Sequence, residues 1–218
     1  FACNARAVYS NASFELAPGV RTTALGMDHG VGSGGESGPW TGLDIFMAVW
    51  KAVALRGEWK KHDWTVKVDP DTVFLPQLLR SLLPHHPEAK EGVYLNNCRF
   101  GMHSPLEVFS RNAVQAWIVG SGSCFQHFIA VCAGPCGWGE DTFMDQCLSK
   151  VLHVRRDNEW LLLREETCAA HQDVQRWTPA VCNSEHTAFH PFPSRDDFHR
   201  CLSSLQGRRT EETLWNRL

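Results

Sequence analysis

Apolar positions along this chain recur in two periods, helical and extended, in alternation. Leu43, Phe46, Met47, Trp50 and Val53 fall at i, i+3, i+4, i+7 and i+10, one stripe that predicts a helix. Thr41 and Asp44 resemble a capping box at its start, and Gly57 is placed to end it. Trp64–Val68, rich in β-branched and aromatic residues, predicts a strand that runs into Asp69-Pro70-Asp71. Pro76 opens a second helix with Leu78, Leu79, Leu82 and Leu83 facing a core, and Pro84 stops it. Gly92–Leu95 and Leu161–Leu163 read as apolar strands, and Phe1–Ser10 as a short strand at the start. Ser110 is placed to cap a helix carrying Ala113, Val114 and Trp117, and Thr142–Leu152 is amphipathic through Phe143, Met144, Cys147, Leu148, Val151 and Leu152. This alternation predicts an α/β domain over residues 1–166, a mixed sheet flanked by helices. Residues 167–218, with Cys168, Cys182, Cys201 and few long apolar runs, read as a disulfide-tied C-terminal extension packed on that domain.

Between the first strand and the first helix, residues 17–42 hold eight glycines and two prolines and predict a long loop. Gly30-Val31-Gly32-Ser33-Gly34-Gly35 satisfies the dinucleotide pattern G-x-G-x-x-G. No hydrophobic strand leads into it, and Glu36-Ser37-Gly38-Pro39 follows where a helix should begin, so it reads as a mobile loop or lid and not as a nucleotide cradle.

Composition narrows the function classes. The 218 residues carry 21 Lys+Arg against 24 Asp+Glu, so the basic excess of a nucleic-acid binder is missing. The longest apolar candidate, Leu43 to Leu55, is interrupted by Asp44 and Lys51 and falls short of the ~18 residues of a membrane helix. The chain opens at Phe1 without a Met, as expected of a fragment or processed luminal portion whose membrane anchor lies outside it. Nine cysteines favour an oxidising compartment over buried reduced thiols of a cytosolic protein, and the odd count leaves at least one free or paired elsewhere. The sequon Asn11-Ala12-Ser13 points the same way.

The sharpest chemical signal is Asp69-Pro70-Asp71, two carboxylates at the C-terminal end of a predicted strand. Paired carboxylates repel when buried, and a hard divalent cation such as Mg2+ or Mn2+ removes the conflict. The same acids equally suit a turn and N-cap before the Pro76 helix. A second acidic element, Glu140-Asp141, follows Gly137-Trp138-Gly139 at a helix start. The helix dipole alone favours acids there, by ~0.3–1 kcal/mol, but a Trp between glycines suggests a slim backbone presenting an aromatic face to a sugar ring.

The order of these elements resembles a known family. A strand with Lys67 leading into D-x-D-x-x-F, then Pro105-Leu106-Glu107-Val108-Phe109-Ser110-Arg111-Asn112-Ala113-Val114, then Glu140-Asp141-Thr142-Phe143-Met144-Asp145-Gln146-Cys147-Leu148, looks like the GT-A glycosyltransferases of the β-1,3-glycosyltransferase and Fringe-like group. The likeness spans Leu43 to Leu152. It implies a GT-A-like, Rossmann-like fold and an inverting transferase that moves a hexose or N-acetylhexosamine from a UDP-sugar to a glycan or glycoprotein hydroxyl, in the Golgi lumen. It further implies Asp71, assisted by Asp69, and His190 of Ala188-Phe189-His190-Pro191 as ligands of Mn2+ (or Mg2+). Asp141 would be the general base, with donor contacts at Lys67, Asp69, Asp71, Trp138 and Glu140. The chain departs from the family at Pro70, where the usual triple has an acid, and at Thr142, where the usual residue is valine.

Other readings compete. A haloacid-dehalogenase-type phosphatase would use Asp69 as nucleophile and Asp71 as acid/base, with Gly139–Asp145 as a loose counterpart of its last motif. A non-catalytic, glycosyltransferase-like sugar-binding module would keep the sheet and lose turnover. Cys182, His186 and His190, four apart, have the spacing of zinc ligands on one helical face. His85-His86 reads as an exposed loop, and Phe46 with Trp50 as core.

Overall fold

A computed structural model describes residues 3–26, 41–131, 139–165, 168, 182 and 185–215. Three strands come first, β1 (Val8–Ser10), β2 (Glu15–Ala17) and β3 (Val20–Ala24), in the order β1-β3-β2. β2 turns back antiparallel onto β3 through Gly19, whose φ of 74° suits a residue without a Cβ. The expected loop from residue 17 is therefore corrected in its first part. Buried Thr22 explains why: its hydroxyl donates to the Ala12 carbonyl at 2.7 Å and accepts from the Phe14 amide at 2.8 Å, closing the hairpin. The Gly30–Gly35 pattern lies outside the described residues.

Helix α1 (Thr41–Arg56) ends at Gly57, which takes φ 66°. Its expected stripe faces inward: Trp50 is 1% exposed and stacks near the rings of Phe46, Phe109 and Trp117 at 6.1, 5.1 and 5.5 Å. Next come β4 (Trp64–Val68), β5 (Val73–Phe74) and α2 (Pro76–Leu82), which passes into a 3-10 turn containing Pro84. β6 (Val93–Asn96) and β7 (Leu106–Ser110) lead to the long α3 (Arg111–Val131). Ser110 caps α3 as expected: its hydroxyl accepts from the Ala113 amide at 3.3 Å and donates to Glu88 at 2.7 Å. α4 (Glu140–Gln146) starts two residues before the expected Thr142 and continues as a π-helical turn, Cys147–Val151.

Four segments escape the periodicity argument. β7 is buried at all five positions, including Glu107, so it has no polar face to alternate. β8 (Arg155–Asn158) is an edge strand made of polar residues, which protects an edge from pairing with other chains. β9 (Leu163–Arg164) is shorter and later than the expected 161–163 strand, because residues 161 and 162 form a turn. After β10 (Ala188–Phe189), the extension ends in a helix, α5 (Arg195–Trp215), whose apolar Phe198, Cys201, Leu202 and Leu205 are few but correctly spaced.

The largest sheet has the order β4-β7-β6-β8. Amide bonds Arg111 to Asp63 and Asp69 to Pro105 bracket β4 and β7 as antiparallel neighbours, whereas Arg155 to Gly92 and Glu159 to Asn96 make β8 and β6 parallel. The sheet is mixed. A second sheet, β5-β10-β9, pairs β10 antiparallel to β5 and parallel to β9.

The chain forms two compact units: Phe1–Thr65 with Glu88–Tyr94 and Phe109–Arg155, and Val66–Pro87 with Leu95–Val108 and Arg156–Leu218. In the second, Val73, Leu75, Cys182, Phe189, Phe192, Cys201 and Leu205 make one apolar cluster, so β5, the chain around β10 and α5 share a core. Disulfides Cys98–Cys168, Cys124–Cys147 and Cys182–Cys201 close separations of 70, 23 and 19 residues. By loop-closure entropy each contributes roughly 3–4 kcal/mol. Cys3 is exposed and free, while Cys132 and Cys136 lie outside the described residues. Among the described residues no helix is long and apolar enough to cross a membrane. Three disulfides fit an oxidising, extracellular or luminal setting.

Gly92 gives the strongest stability prediction in the first unit. It has φ 88°, and a Cβ there would lie 2.3 Å from the Ala113 amide nitrogen at the start of α3. Both partners are backbone and cannot swing aside. Gly92→Ala is expected to lower stability by more than about 3 kcal/mol in urea unfolding. A midpoint within experimental error of wild type would show that the turn before β6 can move.

Candidate functional site

The acidic turn is built by β4 and its exit. Pro70 holds the second position of a β-turn closed by the Thr72 amide donating to the Asp69 carbonyl at 3.1 Å, which places Asp71 third. The turn role is therefore real for the backbone, but the N-cap of α2 is Leu75, so neither aspartate caps that helix. Asp69 is engaged by Lys67 at 2.8 Å, and the same ammonium donates to the Ser104 carbonyl at 2.9 Å. The charge of Asp69 is thus matched within the protein. Asp71, with its side chain 41% exposed, has another partner.

That partner is His190. The register Phe189↔Val73 and Ala188↔Phe74 carries the chain after β10 back past the acidic turn, and the Phe192 amide donates to the Asp71 carbonyl at 2.9 Å. His190 Nε2 consequently lies 3.4 Å from Asp71 Oδ2. Its other ring nitrogen, Nδ1, lies 3.3 Å from Glu165 Oε2, and His103 Nε2 approaches the same oxygen at 2.8 Å. Burial alone would raise the Glu165 pKa; the two imidazoles outweigh it and hold the carboxyl down at about 2.

Glu165 and His103 are residues that the sequence does not signal. Neither belongs to a motif, and only tertiary folding sets them behind His190. His103, Glu165 and Cys168 offer ligand atoms within 4.8 Å of one another, but the Cys168 sulfur is bonded to Cys98 and offers no thiolate. The competing zinc set of Cys182, His186 and His190 loses its thiolate for the same reason: Cys182 is bonded to Cys201. Among the described residues, His186 and His190 lie outside any helix.

His186 has a different consequence. Burial first, then the nearby positive charge of Arg164, pushes its pKa down to about 4, with Glu159 opposing. The unfolded chain takes up a proton near pH 6.5 and the folded chain only near pH 4, so the stability present above the unfolded pKa is lost as pH falls across that window. A loss on the order of 2 kcal/mol is expected between pH 7 and pH 4.5, since His186 is not fully enclosed. Urea midpoints across that range should fall more steeply for wild type than for His186→Asn. Parallel slopes would assign the loss elsewhere.

The pair His85-His86 also needs correction. His85 is exposed, but His86 is 8% exposed, with Nδ1 3.1 Å from Asp157 and Nε2 3.2 Å from Glu159. Asp157 is in the edge strand β8, and Glu159 follows two residues later, just past the end of that strand.

Glu140 and Asp141 belong to the first unit, in the opening turn of α4. Gly139 precedes them in extended conformation, and a Cβ on it would meet Asp141 Oδ1 at 2.9 Å, so the slim backbone leaves room for that carboxylate. Asp141 Oδ1 accepts from the Thr142 amide at 2.7 Å. Behind it α4 is fixed on several sides: Phe143 lies 5.3 and 5.5 Å from the rings of Phe125 and Phe128, buried Asp145 accepts from Tyr94 Oη at 2.9 Å, and Cys147 is bonded to Cys124. Asp141 therefore stands on a rigid support. Trp138 lies outside the described residues.

Compared with protein-family models and with curated proteins, the chain matches none.

Proposed function

We propose that this chain is a GT-A-type, inverting glycosyltransferase that takes a hexose or N-acetylhexosamine from a UDP-sugar. The observation that carries the reading is the meeting of Asp71 with His190, with a carboxylate behind the imidazole. The donor set fits a divalent cation. A carboxylate oxygen and an imidazole nitrogen at 3.4 Å suit Mn2+, and a metal-binding histidine characteristically has a carboxylate at its other nitrogen, where Glu165 Oε2 lies 3.3 Å from His190 Nδ1.

Asp71 and His190 would hold the cation, with Asp69 in reserve beside Lys67. When bound, the cation neutralises charge that grows on the departing nucleoside diphosphate. Lys67 keeps the Asp69 side chain in place and adds positive charge to the diphosphate side. Asp141, in the first unit, is proposed from the family resemblance alone as the group that would take the proton of the acceptor hydroxyl as its oxygen attacks the sugar. The acceptor is a glycan or glycoprotein hydroxyl, and the compartment the Golgi lumen, where the disulfides persist.

Calorimetric titration of UDP with and without Mn2+ tests the reading. Binding is expected only with the metal. Identical heats in both buffers would sink it, and metal-dependent hydrolysis of a generic phosphomonoester would transfer the acid pair to the phosphatase reading with Asp69 as nucleophile.

A further inference from the structure

We infer that Glu165 is the positioning residue for His190, fixing its ring so that Nε2 is presented to Asp71. This rests on the metal-site reading of Asp71 and His190. A neutral imidazole has one donor and one acceptor nitrogen, and its ring can flip. A carboxylate accepts only, so Glu165 Oε2 at 3.3 Å from Nδ1 favours the tautomer with the proton on Nδ1. Nε2, 3.4 Å from the Asp71 carboxylate, is then the position that either a second proton or a cation can fill. A cation held there with Asp71 would take the place of that proton. Without Glu165, both tautomers and both ring orientations are open to His190, and most present the wrong group to Asp71.

Glu165 is itself held on both sides. Its side chain is 10% exposed, and His103 approaches the same oxygen at 2.8 Å. His103 is pinned through Asn97, which accepts from its amide at 2.7 Å and donates to its carbonyl at 2.9 Å. Asn97 adjoins Cys98, and the Cys168 amide donates to the Glu165 carbonyl at 3.3 Å. One disulfide, Cys98–Cys168, thereby fastens the segments that carry both His103 and Glu165. The carboxylate is built into the fold as a fixed backstop.

The test is Mn2+ titration of the full chain followed by electron paramagnetic resonance, with nitrogen-15 spectra reading the His190 tautomer in metal-free protein. Glu165→Gln, of the same size, is expected to bind Mn2+ ~10-fold more weakly, and Glu165→Ala ~100-fold more weakly with mixed His190 tautomers. At a pH where His190 is neutral, wild type should show one tautomer, with its proton on Nδ1. If the Ala variant does not fold, the Gln variant decides. Affinities of both within twofold of wild type, while Asp71→Ala binds nothing, would overturn the positioning role and leave the metal site standing. Equal binding by wild type and Asp71→Ala would remove the metal site and this role with it.

Discussion

Asp71→Ala is expected to abolish Mn2+-dependent binding of UDP and to lower sugar transfer by at least about 100-fold. In the proposed site Asp71 would supply one of two cation ligands, and losing even an outer-shell partner of a metal site usually weakens it 10–100-fold. The fold should be indifferent. The side chain is 41% exposed, and the backbone bonds of the turn, Thr72 to Asp69 and Phe192 to Asp71, do not involve it. Stability is expected to stay within about 0.5 kcal/mol of wild type, as for most substitutions away from buried networks. Four titrations, wild type and variant with and without Mn2+, isolate the effect. UDP binding of equal strength in all four would remove the donor site from this turn.

Asp141→Asn is expected to separate binding from chemistry. The amide keeps an oxygen that can accept from the Thr142 amide, now bonded to Asp141 at 2.7 Å, so the start of α4 should survive. It cannot take a proton from an acceptor hydroxyl. Loss of a positioned general base typically lowers a rate 10²–10⁴-fold, and transfer should fall by that amount with Mn2+-dependent UDP affinity unchanged. Transfer at the wild-type rate would place the base on another residue. A parallel loss of UDP affinity would instead make Asp141 part of the donor site.

Much of the site's scaffold is legible along the chain because it is local. The α1 stripe, the β4 strand ending at the acid pair, Pro76 at the first turn of α2 and the Ser110 cap each depend on residues within a few positions of one another. Segments whose character comes from their surroundings are not legible. β7 hides Glu107 in a strand buried throughout, β8 is polar because it lies at an edge, and α5 contributes a few apolar residues to a core made elsewhere. His190 is reached from sequence only through the family resemblance, while Glu165 and His103 are reached by nothing in it.

The order of residues by itself determined the periodic elements, the carboxylates on either side of Pro70 and the slim glycine beside Asp141, since helix stripes, turn chemistry and glycine backbone are short-range effects. Tertiary structure alone decided that the β5–β10 register sets His190 against Asp71, that Glu165 and His103 stand behind it, that Cys182 is closed in a disulfide, and that His86 is enclosed between two acids. Pairings between distant segments are chosen by the burial and hydrogen bonding of the whole chain, and they leave no periodicity in any one stretch of it.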